Sequence, residues 1–183
     1  MVDASMLADP RYSQVVLINL GRGRGSALDD LAALYPGLCW LQAGYELFGV
    51  EPIIVCDDGP STAEAIARSV GSRTQLVCDA LSVWDESRFT DMLASSDCRI
   101  LFLGGSWLEE EIFIVALQAA ERGYDVRLLS DLVQTRMEAD RSLAFDRLAI
   151  HGVLVATTRQ MLLEWAVSVG DPILKQKVQQ LLS

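Results

Sequence analysis

The chain is short of the residues that most often do chemistry in small proteins. Its 183 residues hold one histidine, His151, and four cysteines, Cys39, Cys56, Cys78 and Cys98, with no C-x-x-C pair among them. Thiols so widely spaced make neither a zinc site nor a disulfide framework, and they read as reduced residues of a core. No apolar run reaches the roughly 18 residues needed to cross a bilayer, so no membrane span is expected. Residues 1–11 lack a basic flank followed by an apolar stretch, which excludes a secretory signal and makes the cytoplasm the expected location. Basic residues are also few: 15 Lys and Arg against 25 Asp and Glu leave a net charge of −10. Nucleic acid is therefore excluded as a partner, since phosphate binding needs a concentrated basic surface and Arg22 with Arg24 is the only small cluster.

What the chain does have is apolar residues, 51% of the total. That is enough to bury a core without disulfides or metals, and enough to suggest that some apolar surface is covered by a second copy. Apolar runs at Gln14–Leu20, Pro52–Cys56, Thr74–Cys78, Arg99–Leu103, Asp125–Ser130 and Val153–Ala156 read as buried strands. Helical patterns fill the intervals: Ala27–Tyr35, Leu38–Phe48, Ser61–Val70, Asp85–Ser95, a long apolar helix after Gly105, Arg136–Ile150, Thr158–Val169 and Ile173–Leu182. Ser61 with Glu64 forms the pattern of a capping box, and Asp85 that of an N-cap.

Six strands alternating with helices imply right-handed βαβ units. The expected class is α/β, a three-layer α/β/α sandwich around a six-stranded, mainly parallel sheet. Ligands of such sheets bind beyond the carboxyl ends of the strands, which directs attention to Asn19, residues 21–25, Asp57, Asp58, Cys78, Asp79, residues 105–111, Ser130 and Asp131.

Two local motifs admit plain readings. Gly21-Arg22-Gly23-Arg24-Gly25 follows a strand as a dinucleotide fingerprint would, but its third glycine is one residue early and no acid follows about 20 residues on. A loop whose arginines can clamp a carboxylate is the better reading. Ser106-x-x-Glu109 has the form of a capping box, and the acids Glu109, Glu110 and Glu111 suit the first turn of a helix.

From Ile100 to Trp165 the order of motifs resembles the isochorismatase-like cysteine hydrolases. It runs from a strand ending in Gly104-Gly105 to a long apolar helix and Ala120-Glu121-Arg122-Gly123-Tyr124-Asp125-Val126. After these come Ser130-Asp131, a charged helix, Gly152-Val153-Leu154-Val155-Ala156-Thr157-Thr158 and Leu162-Leu163-Glu164-Trp165. The resemblance extends more faintly to Val15. It implies one isochorismatase-like domain over residues 1–183, with 171–183 as a C-terminal helical extension.

Members of that family use an aspartate after the first strand, a lysine after the third and a cysteine nucleophile at the helix following the fourth. The resemblance places Asn19, Asp79 (or its neighbour Cys78) and Glu111 at these positions, so all three catalytic positions are substituted. Trp84, Trp107 and Leu108 are the implied wall of a small-molecule pocket, and a cis peptide is implied at Trp107–Leu108. No thiol, base or lysine stands where a thioester route needs it. The expectation is a non-catalytic or highly diverged hydrolase homologue. Some relatives cleave a vinyl ether by protonation, so the alternative is an active hydrolase of a vinyl ether or C–N bond. There Glu111 would be the general acid, with Asp79 and Asn19. A third idea gathers a divalent metal on Asp79, Glu110 and Glu111. No resident metal or cofactor is expected otherwise. The expected partners are a small-molecule ligand and further copies of the chain, packed through the helix at Ile173–Leu182.

Overall fold

The computed structural model describes residues 7–22 and 31–183. Gly23, Arg24, Gly25 and the start of the helix expected at Ala27–Tyr35 lie outside the described residues. The strands are β1 (Ser13–Ile18), β2 (Ile53–Cys56), β3 (Thr74–Val77), β4 (Ile100–Gly105), β5 (Asp125–Val133) and β6 (Leu154–Ala156). All pairings are parallel, in the order β3-β2-β1-β4-β5-β6. The chain winds outward from β1 in one direction and from β4 in the other, so the topological switch point lies between these two central strands.

Alternation along the strands sorts the core into two layers. Val15, Leu17, Ile54 and Phe102 face one side, which is covered by α1 (Leu31–Leu34), α2 (Leu38–Phe48), α3 (Pro60–Val70), α7 (Thr158–Val169) and α8 (Pro172–Leu181). Val16, Ile18, Val55, Leu101 and Leu103 face the other. There α4 (Ser87–Ser95), α5 (Phe113–Glu121) and α6 (Glu138–Ile150) pack. Both faces being covered explains why the central strands read as unbroken apolar runs. No helix among the described residues is long and apolar enough to cross a membrane.

Several helix starts differ from the sequence reading. Helix α3 begins at Pro60, with Gly59 rather than Ser61 as N-cap and no side-chain cap. Proline, whose N–H would be unsatisfied there in any case, takes the first position that Ser61 was expected to precede. Asp85 does not cap α4. It ends a 3-10 helix, Ala80–Asp85, and Glu86 stands at the N-cap. A complete capping box does occur, at α7. There Thr157 Oγ1 accepts from Gln160 N at 3.2 Å, and Gln160 Oε1 accepts from Thr157 N at 2.8 Å.

Candidate functional site

The carboxyl ends of β1, β2 and β4 meet in one polar cluster. It begins with Asn19, buried and held at φ 48 just past β1. Asparagine tolerates this left-handed conformation better than most residues because its short polar side chain bonds locally. Asn19 N donates to Val55 O at 2.8 Å, and Asp57 N donates to Asn19 Oδ1 at 3.0 Å. Asn19 Nδ2 in turn donates to Asp57 Oδ2 at 3.2 Å. The amide thus ties the ends of β1 and β2 together.

Three residues on, Arg22 turns back over the cluster. Its N–H donates to Asn19 O at 3.0 Å and to Ser106 Oγ at 3.2 Å. Its guanidinium reaches Asp57 Oδ2 at 3.1 Å and pairs with Glu111 Oε1. The Glu111 side chain is only 8% exposed, against 30% for Arg22. Beneath them, Tyr35 Oη and Ser106 Oγ are 2.8 Å apart, and Gly21 N donates to Tyr35 Oη at 3.1 Å.

The turn after β4 sets the position of Glu111. Gly105 adopts φ 137, and a Cβ there would lie 1.8 Å from Ile18 O, so β1 and β4 approach as only glycine allows. Trp107 follows at φ 60, and residues Leu108–Ile112 form a π-turn before α5. Such turns insert one extra residue into the helical ladder. Of the three acids, Glu111 is buried towards Arg22. Glu109 and Glu110 turn to Arg136: its N–H donates to Glu109 Oε1 at 2.7 Å, and its side chain pairs with Glu110.

This geometry corrects several expectations. Ser106 caps no helix; the backbone turn at Trp107 points its hydroxyl back to Tyr35 and Arg22. No peptide among the described residues is cis, and the chain turns instead through the positive φ of Trp107. Asp79 does not join Asn19 and Glu111. Its carboxylate is exposed and caps the following 3-10 helix, accepting from Leu81 N at 3.0 Å, because a bond two residues ahead is close at hand for an aspartate. Among the described residues no group of three metal-ligating side chains forms, so Asp79, Glu110 and Glu111 do not gather as a metal set. Trp84 is also misplaced as a pocket wall. The 3-10 helix carries it into the core, where it packs on Phe89 at 5.2 Å and on Tyr124 at 5.7 Å, before the amino end of β5. Leu108 is fully buried, while Trp107 is half-buried under the Arg136 guanidinium at 4.7 Å.

The thiols at the neighbouring strand ends are held protonated. Burial, with Glu86, Asp79 and Asp57 adding to it, pushes Cys78 up to about 11. Burial also raises Cys56, against a backbone hydrogen bond from Asp58 and, more weakly, the charge of Arg22. Neither resembles the activated cysteine of an electropositive pocket. His151 follows α6 at the amino end of β6 and is exposed.

Sequence reasoning missed the convergence of Arg22, Asp57, Tyr35 and Ser106. The available signals were the position of Asp57 at a strand end and the capacity of Arg22 to clamp a carboxylate. Nothing local links Tyr35 to Ser106.

A doubly wound, six-stranded parallel sheet in the order β3-β2-β1-β4-β5-β6, with a polar cluster at its switch point, is an α/β architecture of the isochorismatase-like kind. Residues of this chain are 29% identical over 125 positions to isochorismatase domain-containing protein 2 of Danio rerio, covering 68% of this chain and 61% of that protein. The chain thus spans about 61% of the length of the curated relative it matches. The YcaC gene product of Escherichia coli, described as an octameric hydrolase of unknown specificity, superposes with a TM-score of 0.74 at 18% identity, covering 99% of this chain and 97% of that one. An isochorismatase family protein of Burkholderia thailandensis superposes with a TM-score of 0.71 at 15% identity, covering 87% and 97%. No protein-family model matches the sequence. The sequence relation supports kinship with isochorismatase-domain proteins, and the solved neighbours share the fold.

Proposed function

We propose that this chain is an isochorismatase-family hydrolase homologue that lacks the Asp/Lys/Cys machinery and keeps the fold as a non-catalytic or highly diverged binding module. The observation that carries this reading is the ion pair of Glu111 with Arg22. A carboxylate already engaged by a guanidinium stands in the turn where the resemblance expects a thiol. Asn19 is a neutral amide occupied by Asp57, and Asp79 is taken up by a local turn. Turnover of isochorismate, small amides and nicotinamide, measured for wild type and Glu111→Gln, tests it. Wild-type turnover that disappears in the variant defeats the non-catalytic reading.

One observation favours the alternative, an active small-molecule hydrolase of a vinyl ether or C–N bond with Glu111 as general acid. Glu111 Oε2 is buried and has no hydrogen-bond partner, the setting in which a carboxyl group can hold a proton for a bound substrate. The same assay decides it.

Self-association belongs to this reading too. Support comes from the octameric description of the E. coli structural neighbour, and from apolar side chains standing in solvent on α6 and α8, Ile150 at 81% and Ile173 at 64% exposure. Light scattering of the full chain tests it; a clean monomer at micromolar concentration contradicts it.

A further inference from the structure

The outer face of α6 carries apolar side chains that its own fold leaves uncovered. Among the described residues Ile150 is the most exposed large apolar side chain, at 81%, and Leu143 stands at 61%. The helix enters the core through Ala144 and Leu148, so neither of these two is spent on its own packing. With 3.6 residues per turn, Leu143 and Ile150 are turned only about 20° apart, and Asp146 and Arg147 lie between them, each within about 60° of both. Four exposed residues thus form one stripe, apolar at its ends and oppositely charged at its centre.

Those charges are uncommitted. The Asp146 carboxylate has no ion-pair or hydrogen-bond partner among the described residues, and the Arg147 guanidinium lies over the Phe113 ring at 4.6 Å with no carboxylate of its own. Beside each end of the stripe the surface is hollow. A hollow of about 290 Å³ adjoins Leu143, with Phe113 and Ala144 in its wall. Another, of about 400 Å³, is bounded by Leu117, Ala120 and His151, next to Ile150.

The stripe matches itself in reverse. A two-fold axis crossing α6 between Asp146 and Arg147 lays the same helix of a second copy antiparallel on the first, so that every contact occurs twice. Leu143 then meets Ile150 of the other copy, and Asp146 meets Arg147. The other copy's Ile150 enters the hollow beside Leu143, and its Leu143 the hollow beside His151, as knobs enter holes. An unrelated protein would need the same order of apolar, acidic, basic and apolar groups, whereas a second copy supplies it by symmetry. Helix α8 is spent differently: Val178 and Leu182 are buried on its own domain.

We propose that the outer face of α6 is a self-association surface, and that its partner is α6 of a second copy packed antiparallel about this axis. The inference rests on the reading of the chain as self-associating. It adds the face, the symmetry and the paired residues.

Sedimentation velocity of the full chain over a dilution series compares the wild type with Asp146→Arg, Arg147→Asp and the variant carrying both changes. Each single reversal sets like charges against each other twice and is expected to raise the dissociation constant at least about tenfold; the double variant exchanges the partners and returns to within about threefold of the wild type. A wild type that assembles and is unmoved by either reversal overturns the proposal and leaves self-association standing. A double variant as dissociated as the single ones also overturns it. A wild type that stays monomeric at micromolar concentration overturns both. Should a reversal unfold the chain by circular dichroism, Leu143→Glu and Ile150→Lys replace the pair. Each alone should weaken association and the two together in one chain restore it; no restoration overturns the arrangement.

Discussion

Asn19 and Asp57 grip each other through both ends of an amide, Nδ2 donating to the carboxylate at 3.2 Å and Oδ1 accepting the Asp57 N–H at 3.0 Å. A carboxylate cannot replace that amide, because a donor facing Asp57 Oδ2 would become a second acceptor. Asn19→Asp, which restores the residue type the family uses after its first strand, is expected to lower stability by about 2–3 kcal/mol in urea denaturation. Asn19→Ala is expected to cost a similar amount, through lost bonds and a left-handed backbone without its side-chain support. A change within about 0.5 kcal/mol, the scatter of neutral surface substitutions, contradicts this account.

Arg22 and Glu111 are unequally buried, and a double-mutant cycle reads their coupling. Because Arg22 keeps 30% of its surface in water, the pair is worth less than a fully desolvated one. A coupling energy of about 1–2 kcal/mol is expected from Arg22→Met, Glu111→Gln and the double variant. The sum of the single losses should exceed the double loss. Simple additivity would mean that the two side chains do not interact in solution.

At Gly105 the expectation is harsher. A methyl group 1.8 Å from Ile18 O forces apart the two central strands. Gly105→Ala should therefore abolish soluble folded protein or cost more than about 4 kcal/mol. Gly104→Ala meets Leu132 Cβ at 2.9 Å, Leu17 Cδ2 at 3.0 Å and Leu132 O at 3.1 Å; only the Leu17 methyl can swing aside, but these clashes are shallower than the one at Gly105, so the variant should be milder. Circular dichroism of the two purified variants ranks them.

The cysteines differ in reactivity. Cys39 is exposed, whereas burial pushes Cys78 up to about 11 and Cys98 up to about 12. Iodoacetamide near neutral pH should label Cys39 first, with Cys78 following only in alkaline solution, as peptide mass spectrometry can follow. Linkage gives the sign for stability. Folded pKa values above the unfolded value of 9.0 mean that the contribution is full below about pH 9 and fades as pH rises through about 11 for Cys78. Early alkylation of Cys78 at neutral pH contradicts its placement.

The six strands were legible because a parallel strand covered on both faces has no polar position to interrupt it, as in Val15-Val16-Leu17-Ile18. Strand β5 runs past its expected end at Ser130 because Asp131, a turn-like residue on composition, accepts Thr158 N at 2.9 Å and so stays within the strand. At the site, Asn19 and Glu111 stood out by their places after β1 and β4, and the family resemblance pointed to the same two positions. Asp79 and Trp84 were misread because a short-range hydrogen bond and one six-residue 3-10 helix decided their directions. Arg22 meets Glu111 through the pairing of β1 with β4, strands far apart in the chain, and no pattern within a sequence window reports such an encounter.

The π-turn at Leu108–Ile112 gives the run of three glutamates a further meaning. A one-residue insertion or deletion in such a turn rotates the residues before it by about 100° relative to the helix that follows. With three acids in succession, a slip of the turn by one residue presents Glu110 where Glu111 now faces Arg22. The charge at that point therefore survives a frame shift of the helix that would erase a lone side chain, which makes the acid more durable under mutation than the turn that displays it.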